Sequence, residues 1–178
     1  GHGSFQYAPP TDFLALCSQN LPNVDIIDGT KHFNTILYTA NGSASRAITG
    51  VGFQPDWLWV KSRNATYYHG LWDSVRTNKS ALYSNATDAE DTSTAGTLGS
   101  LDADGFTTPN VSGGGFINIG STTYVAWNWK AGGAASSNTD GNITSSVSAG
   151  EYMSICTWTG NGTSGATIGH GLGKVPSM

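Results

Sequence analysis

Charge is scarce in this chain. Only 11% of its 178 residues are Asp, Glu, Lys or Arg, and the formal net charge is −4. The 8 basic residues are scattered and form no stripe, which excludes the electrostatic footprint of a nucleic-acid binder. No apolar run approaches the ~20 residues that a membrane-spanning helix needs, so no membrane insertion is expected. Long stretches with helical periodicity are missing too. Cysteine is limited to Cys17 and Cys156; the two lie far apart and allow either one pair or two buried thiols. His2, His32, His69 and His170 stand at no metal-ligand spacing, so no metal or other cofactor is expected.

Catalytic patterns are absent as well. There is no Gly-x-Ser-x-Gly elbow. Asp56, Asp73, Asp88, Glu90, Asp91, Asp102 and Asp104 show no pairing of the kind a glycosidase uses to flank a bond. No enzyme activity and no catalytic residue is therefore predicted. Asp102-Ala103-Asp104-Gly105 begins like a calcium loop, but no Glu closes it, and a hairpin turn is the simpler reading. Gly169-His170-Gly171-Leu172-Gly173 runs into Lys174-Val175-Pro176 rather than a helix, so it reads as a turn and not a phosphate loop. Asp73 near Arg76 reads as a surface ion pair or turn contact.

Gly, Ser, Thr, Asn and aromatics make up much of the remainder. That mixture specifies many turns between short strands, with large side chains to fill a core. Alternation predicts strands at 33–39, 45–49, 56–63, 67–75, 79–84, 97–101, 106–108, 115–119 and 122–130, with two more at 152–158 and 166–169. The 56–63 strand is apolar on both faces over its first half, the mark of a central strand covered on both sides. Turn signals every ~8–12 residues argue for an all-β sandwich of short antiparallel strands with no long helix. Asn-x-Ser/Thr triplets at Asn41, Asn64, Asn78, Asn85, Asn110, Asn142 and Asn161 read as turn chemistry rather than glycosylation.

One stretch occurs twice. Tyr38-Thr39-Ala40-Asn41-Gly42-Ser43 is echoed by Trp158-Thr159-Gly160-Asn161-Gly162-Thr163, Ile48 matches Ile168, and a one-residue insertion brings Pro55 against Pro176. Four parts follow: an N-terminal segment with connector (1–30), a main sandwich (31–132), a Gly/Ala/Ser-rich linker (133–150) and a partial second repeat (151–178). The last is too short to bury a core alone; it is expected to be incomplete as a domain and held by something else.

Aromatic faces stack on sugar rings, so an aromatic that stays exposed is a candidate for sugar binding. Trp57, Trp59, Trp127 and Trp129 sit in apolar alternation and read as core. Tyr67, Tyr68, His69 and Trp72 follow a loop, mix with polar residues and are the candidates for a carbohydrate-binding surface.

Four blocks carry a family likeness: Gly52-Phe53-Gln54-Pro55-Asp56-Trp57-Leu58-Trp59-Val60-Lys61, Trp72-Asp73-Ser74-Val75-Arg76, Leu101-Asp102-Ala103-Asp104-Gly105-Phe106 and Tyr124-Val125-Ala126-Trp127-Asn128-Trp129-Lys130. In this order they resemble an uncharacterised β-rich repeat domain of tailed-bacteriophage structural proteins, many of them marine. Phe5-Gln6-Tyr7-Ala8-Pro9-Pro10 and Phe13-Leu14-Ala15-Leu16-Cys17 are similar to the closing part of a SPRY-like domain. The resemblance implies a jelly-roll or SPRY-like sandwich in a virion appendage: a tail fibre, tail-associated protein or capsid-surface protein. Expected partners are further copies of the chain, other virion proteins and a host-surface glycan. A bacterial extracellular filament or surface adhesin is the alternative, and a glycan depolymerase a third reading. The resemblance supplies no catalytic or ligand residues.

Overall fold

Alternation at 57–62 puts Leu58, Val60 and Ser62 on one face and Trp57, Trp59 and Lys61 on the other, so the strand they form can turn only one set toward a given neighbour. The computed structural model describes residues 26–76 and 79–176. A 3₁₀ turn at Gly29–Lys31, capped by the Asp28 carboxylate accepting from Thr30 N, leads into the first strand. The strands are β1 (Phe33–Thr39), β2 (Ala47–Thr49), β3 (Trp57–Ser62), β4 (Gly70–Asp73), β5 (Leu82–Tyr83), β6 (Ser100–Asp102), β7 (Gly105–Thr107), β8 (Thr123–Trp129), β9 (Ser136–Asn138), β10 (Ser145–Ala149) and β11 (Ser154–Trp158). Every pairing between them is antiparallel, and helix among the described residues is confined to short 3₁₀ segments. The chain is all-β.

Three sheets form, in the orders β1-β8-β3-β4-β5, β2-β7-β6 and β11-β10-β9. β3 is the middle strand of the largest. Its Leu58 and Val60 face join Tyr124 and Ala126 of β8 and Trp72 of β4, and this layer meets Ile48, Leu101 and Phe106 of the β2-β7-β6 sheet in one core. Buried aromatics of this size dominate core energetics. Trp72 is fully buried, its Nε1 donates to Gly96 O at 2.9 Å, and its ring stacks on Phe116 at 5.7 Å. Gly70, two residues earlier on the same face, leaves that room: a Cβ there would come within 2.2 Å of the Trp72 ring.

The third sheet is joined to the main one through Asp56. Its buried carboxylate accepts from Ala131 N (2.8 Å) and Gly133 N (3.2 Å), just beyond β8. Gly132 N donates to Ser148 Oγ at 3.0 Å, and a Cβ on Gly132 would meet Ala149 O at 2.3 Å. His32 stacks edge-on against Tyr152 at 4.7 Å.

The two echoed stretches share a backbone signature. Left-handed φ occurs at Gly42, Ser45, Gly50 and Gly52 (75°, 49°, 96° and 85°). It recurs at their counterparts Gly162, Gly165, Gly171 and Gly173 (72°, 74°, 73° and 67°). Asn41 Oδ1 accepts from Ser43 N at 3.1 Å, and Asn161 Oδ1 from Thr163 N at 2.9 Å.

Several expectations need correction. Residues 133–150 have linker composition but contain β9 and β10; β10 buries Ser145, Val147 and Ser148, and the two serine hydroxyls make hydrogen bonds that let a Ser-rich strand be buried. Residues 115–119 form no strand: Ser112–Ile117 makes 3₁₀ turns broken by Gly113, Gly114 and Gly115 in left-handed conformations. Residues 166–169 contribute a single parallel bridge, Ile168 to Ile143. Residues 67–69 precede β4 rather than begin it. The stretches 5–10 and 13–17 with their SPRY-like likeness, Cys17 and Asn78 lie outside the described residues.

Candidate functional site

The four aromatic candidates separate. Trp72 is a correction: it is a core residue, drawn inward because β4 alternation puts it on the same face as Gly70, against Leu58 across the ladder. Tyr67 and Tyr68 remain at the surface, where with Thr66 and Asn85 they line a shallow hollow of about 250 Å³. Tyr68 is 45% exposed and stacks on Tyr83 at 4.2 Å. Tyr83 in turn meets Phe116 edge-on at 5.4 Å and donates its hydroxyl to the Asp91 carboxylate. Burial, then this bond, raises the Tyr83 hydroxyl above its ordinary range, and the same bond holds Asp91 below its own. His69 donates its main-chain N–H to Asn85 Oδ1 at 2.8 Å, which fixes the rim of the hollow. Burial, helped by the charge of Lys61, holds the His69 imidazole below its usual value and favours the neutral ring. Such a site offers one exposed aromatic plate beside a polar rim.

A larger aromatic surface lies elsewhere. The ladder aligns Phe33, Trp129 and Trp57 in one row and Trp127, Trp59 and Leu71 in the next. Ring centroids are 4.9 Å apart for Phe33–Trp129, 4.5 Å for Trp57–Trp129 and 5.2 Å for Trp59–Trp127. All four tryptophans are half-buried, not core as expected, because the opposite face of the sheet holds the core. Lys61 was the available signal: it shares the tryptophan face of β3, and a Lys end group marks the side open to water. One end of this face abuts the third sheet, where Trp57 and Asp73 line a groove of about 330 Å³ with Met153, Ser154, Ile155 and Cys156.

Most of the carboxylates singled out by the sequence, Asp56, Asp73, Glu90, Asp91, Asp102 and Asp104, are engaged in building the fold, whereas Asp88 is exposed. Asp104, in the β6–β7 turn, accepts from Gly50 N (3.0 Å) and Gly52 N (2.6 Å), and these bonds hold it below the usual carboxylate range. Asp102 accepts from Thr107 Oγ1 at 2.7 Å. Asp73 pairs with Arg76 at 2.6 Å and also accepts from two main-chain N–H groups, so the contact is both ion pair and turn, though largely buried rather than on the surface. Glu90 takes the other side of the Arg76 guanidinium at 2.9 Å. No group of three or more His, Cys, Asp or Glu among the described residues is placed to hold a metal ion, and no helix among them is long and apolar enough to cross a membrane. The Asn side chains of six triplets (Asn41, Asn64, Asn85, Asn110, Asn142 and Asn161) all accept hydrogen bonds that fix turns or bind neighbouring segments.

These features define an antiparallel β-domain with open aromatic surfaces and structurally committed acids. A family model, described as a domain of unknown function (DUF7483), matches residues 28–178, and the chain belongs to that family. No curated protein and no solved structure matches the chain.

Proposed function

We propose that this chain is a non-enzymatic structural and adhesive module of a bacteriophage virion appendage, with the Tyr67–Tyr68 hollow contacting a host-surface glycan. The observation that carries the binding part is the division of labour among side chains. Six of the seven candidate acids, Asp56, Asp73, Glu90, Asp91, Asp102 and Asp104, are taken by main-chain and side-chain donors, whereas Tyr68 lies open beside Asn85. An aromatic plate with a neighbouring amide suits a sugar ring: the plate meets its apolar face and the amide its hydroxyls. The appendage part rests on the four-block sequence resemblance. Repetition of such units along a particle would raise avidity without new contacts. The bacterial filament reading finds support in the open strand edge described below, since strand addition is how many such filaments assemble.

The test is a glycan array probed with the chain and with Tyr68→Ala. Binding to intact polysaccharide that falls at least tenfold in the variant supports adhesion. Release of new reducing ends from those polysaccharides overturns it in favour of a depolymerase. Immunogold labelling of phage particles with antibody to the chain tests the location; particles without label sink the virion assignment.

A further inference from the structure

β1 and β11 begin the two echoed stretches, yet their neighbours differ. In an antiparallel ladder a residue's N–H and C=O point to one edge, and those of the next residue to the other. Ala40 N donates to Thr122 O (2.8 Å) and Lys130 N to His32 O (2.9 Å). The even-numbered residues from 32 to 40 therefore face β8. At the second site Gly150 N donates to Met153 O (2.8 Å), so 153, 155 and 157 face β10. Ser154, Cys156 and Trp158 then point to the opposite edge, where no hydrogen bond to their main chain is found among the described residues. The echo equates Tyr38 with Trp158, Ile36 with Cys156 and Asn34 with Ser154. β10 thus occupies the edge that β1 leaves open, and the open edge of β11 is the one on which β1 carries β8.

The adjoining turn repeats this relation. Gly50 N and Gly52 N clasp the Asp104 carboxylate, and their counterparts Gly171 and Gly173 hold the same left-handed backbone on the surface. Asn118 binds Asn41 and Ser43 at the first site, while Asn161 holds only its own turn. Backbone geometry for receiving a unit is present, and the receiving partner is not among the described residues.

We propose that the open edge of β11 is the docking site for the β8-type strand of a unit of this domain family that lacks its own β1, added antiparallel, with β11 taking the place of that strand. A folded copy of this same chain does not fit the role, because its β8 already has β1 on one edge and β3 on the other. Exposed edges are templates for such pairing, and main-chain bonds supply the affinity. The inference stands on strand polarity and does not depend on the appendage reading.

The probe is a synthetic peptide of residues 121–131, added to the isotopically labelled chain. Expected are saturable amide shifts at Ser154, Cys156 and Trp158, smaller shifts at Ile155 and Thr157, and none with a scrambled peptide. Cys156→Pro removes one donor from the open edge and none from the β10 ladder; it weakens binding roughly tenfold, the worth of one such bond, whereas Cys156→Ala binds as the parent does. Shifts that map to β5 or β1, equal binding by the proline variant, or no binding at all overturn the proposal. Self-association of the unliganded chain through β11 overturns it in favour of pairing between copies.

Discussion

The two turns that follow β1 and β11 share left-handed residues at matching positions and have unequal support. The first is fastened on every side. Asn118 accepts from Asn41 N and Arg46 Nη1 and donates to Asn41 Oδ1 and Ser43 O. Thr108 Oγ1 accepts from Arg46 N, and Asp104 takes two glycine amides. The second keeps its turn through Asn161 and ties its far side to Asn142 through Thr167. Equal backbone under unequal support teaches that local chemistry, Asn-Gly and a left-handed residue three positions on, is enough to set this conformation. The clamps of the first turn therefore serve its attachment to the β2-β7-β6 sheet.

That comparison can be broken at several strengths. Gly105→Ala has the largest expected effect. Gly105 has φ +147°, and a Cβ there would sit 2.0 Å from Ile48 O. Parting β7 from β2 would cost roughly 4 kcal/mol, read as a lowered denaturation midpoint, with hydrogen exchange rising at 47–49 and not at 166–168. Asn118→Ala removes four hydrogen bonds from a fully buried side chain. It should cost about 3 kcal/mol and loosen 41–46 while leaving 161–165 unchanged; equal loosening of both would refute the distinction.

Asp104→Asn probes the clamp by charge. The folded-state pKa of Asp104 is lowered, first by the Gly52 bond and then by the Gly50 bond. Its contribution is therefore present above the unfolded carboxylate value and is lost as pH falls through the folded one. Acid titration of stability should show a shallower loss in the Asn variant, and unchanged curves would remove Asp104 from the account. The smallest effects come from exchanging one residue type between the copies. Gly165→Ser places a side chain at φ +74° and should cost about 1 kcal/mol. Ser45→Gly relieves φ +49° and should gain about 0.5 kcal/mol, net of the Asn110 bond it loses. Calorimetry on both variants checks the opposite signs.

Much of the framework was legible. β1 has the limits expected from its alternation, 33–39, and β3 has the central place expected of it. The Asp-Gly turn between β6 and β7 followed from its residue types. What stayed hidden was sidedness. Alternation separates Trp57 and Trp59 from Leu58 and Val60, but which set faces the second sheet depends on partners distant in sequence. Trp72 was misplaced for the same reason: the space it fills is left by Gly70, and its hydrogen-bond partner is Gly96. β10 was missed because its buried serines owe their burial to Gly169 O and Gly132 N, contacts that no composition window contains. For the candidate site, the exposure of Tyr68 was readable from its polar surroundings, whereas the stack on Tyr83 required the β4–β5 ladder.

Phe33 and Trp129 face each other at one end of the β1–β8 ladder, and Lys130 N donates to His32 O just outside it. The chain therefore enters and leaves the large sheet at adjacent points, and residues 33–129 hang beside its path like a pendant on a cord. Tension along the cord would reach the pendant through this pair and through the Asp56 carboxylate that holds Ala131 N and Gly133 N, and once those bonds part it would open the ladder one rung at a time. In a fold of this design the hanging unit can open from its two ends while the segments outside it keep their course.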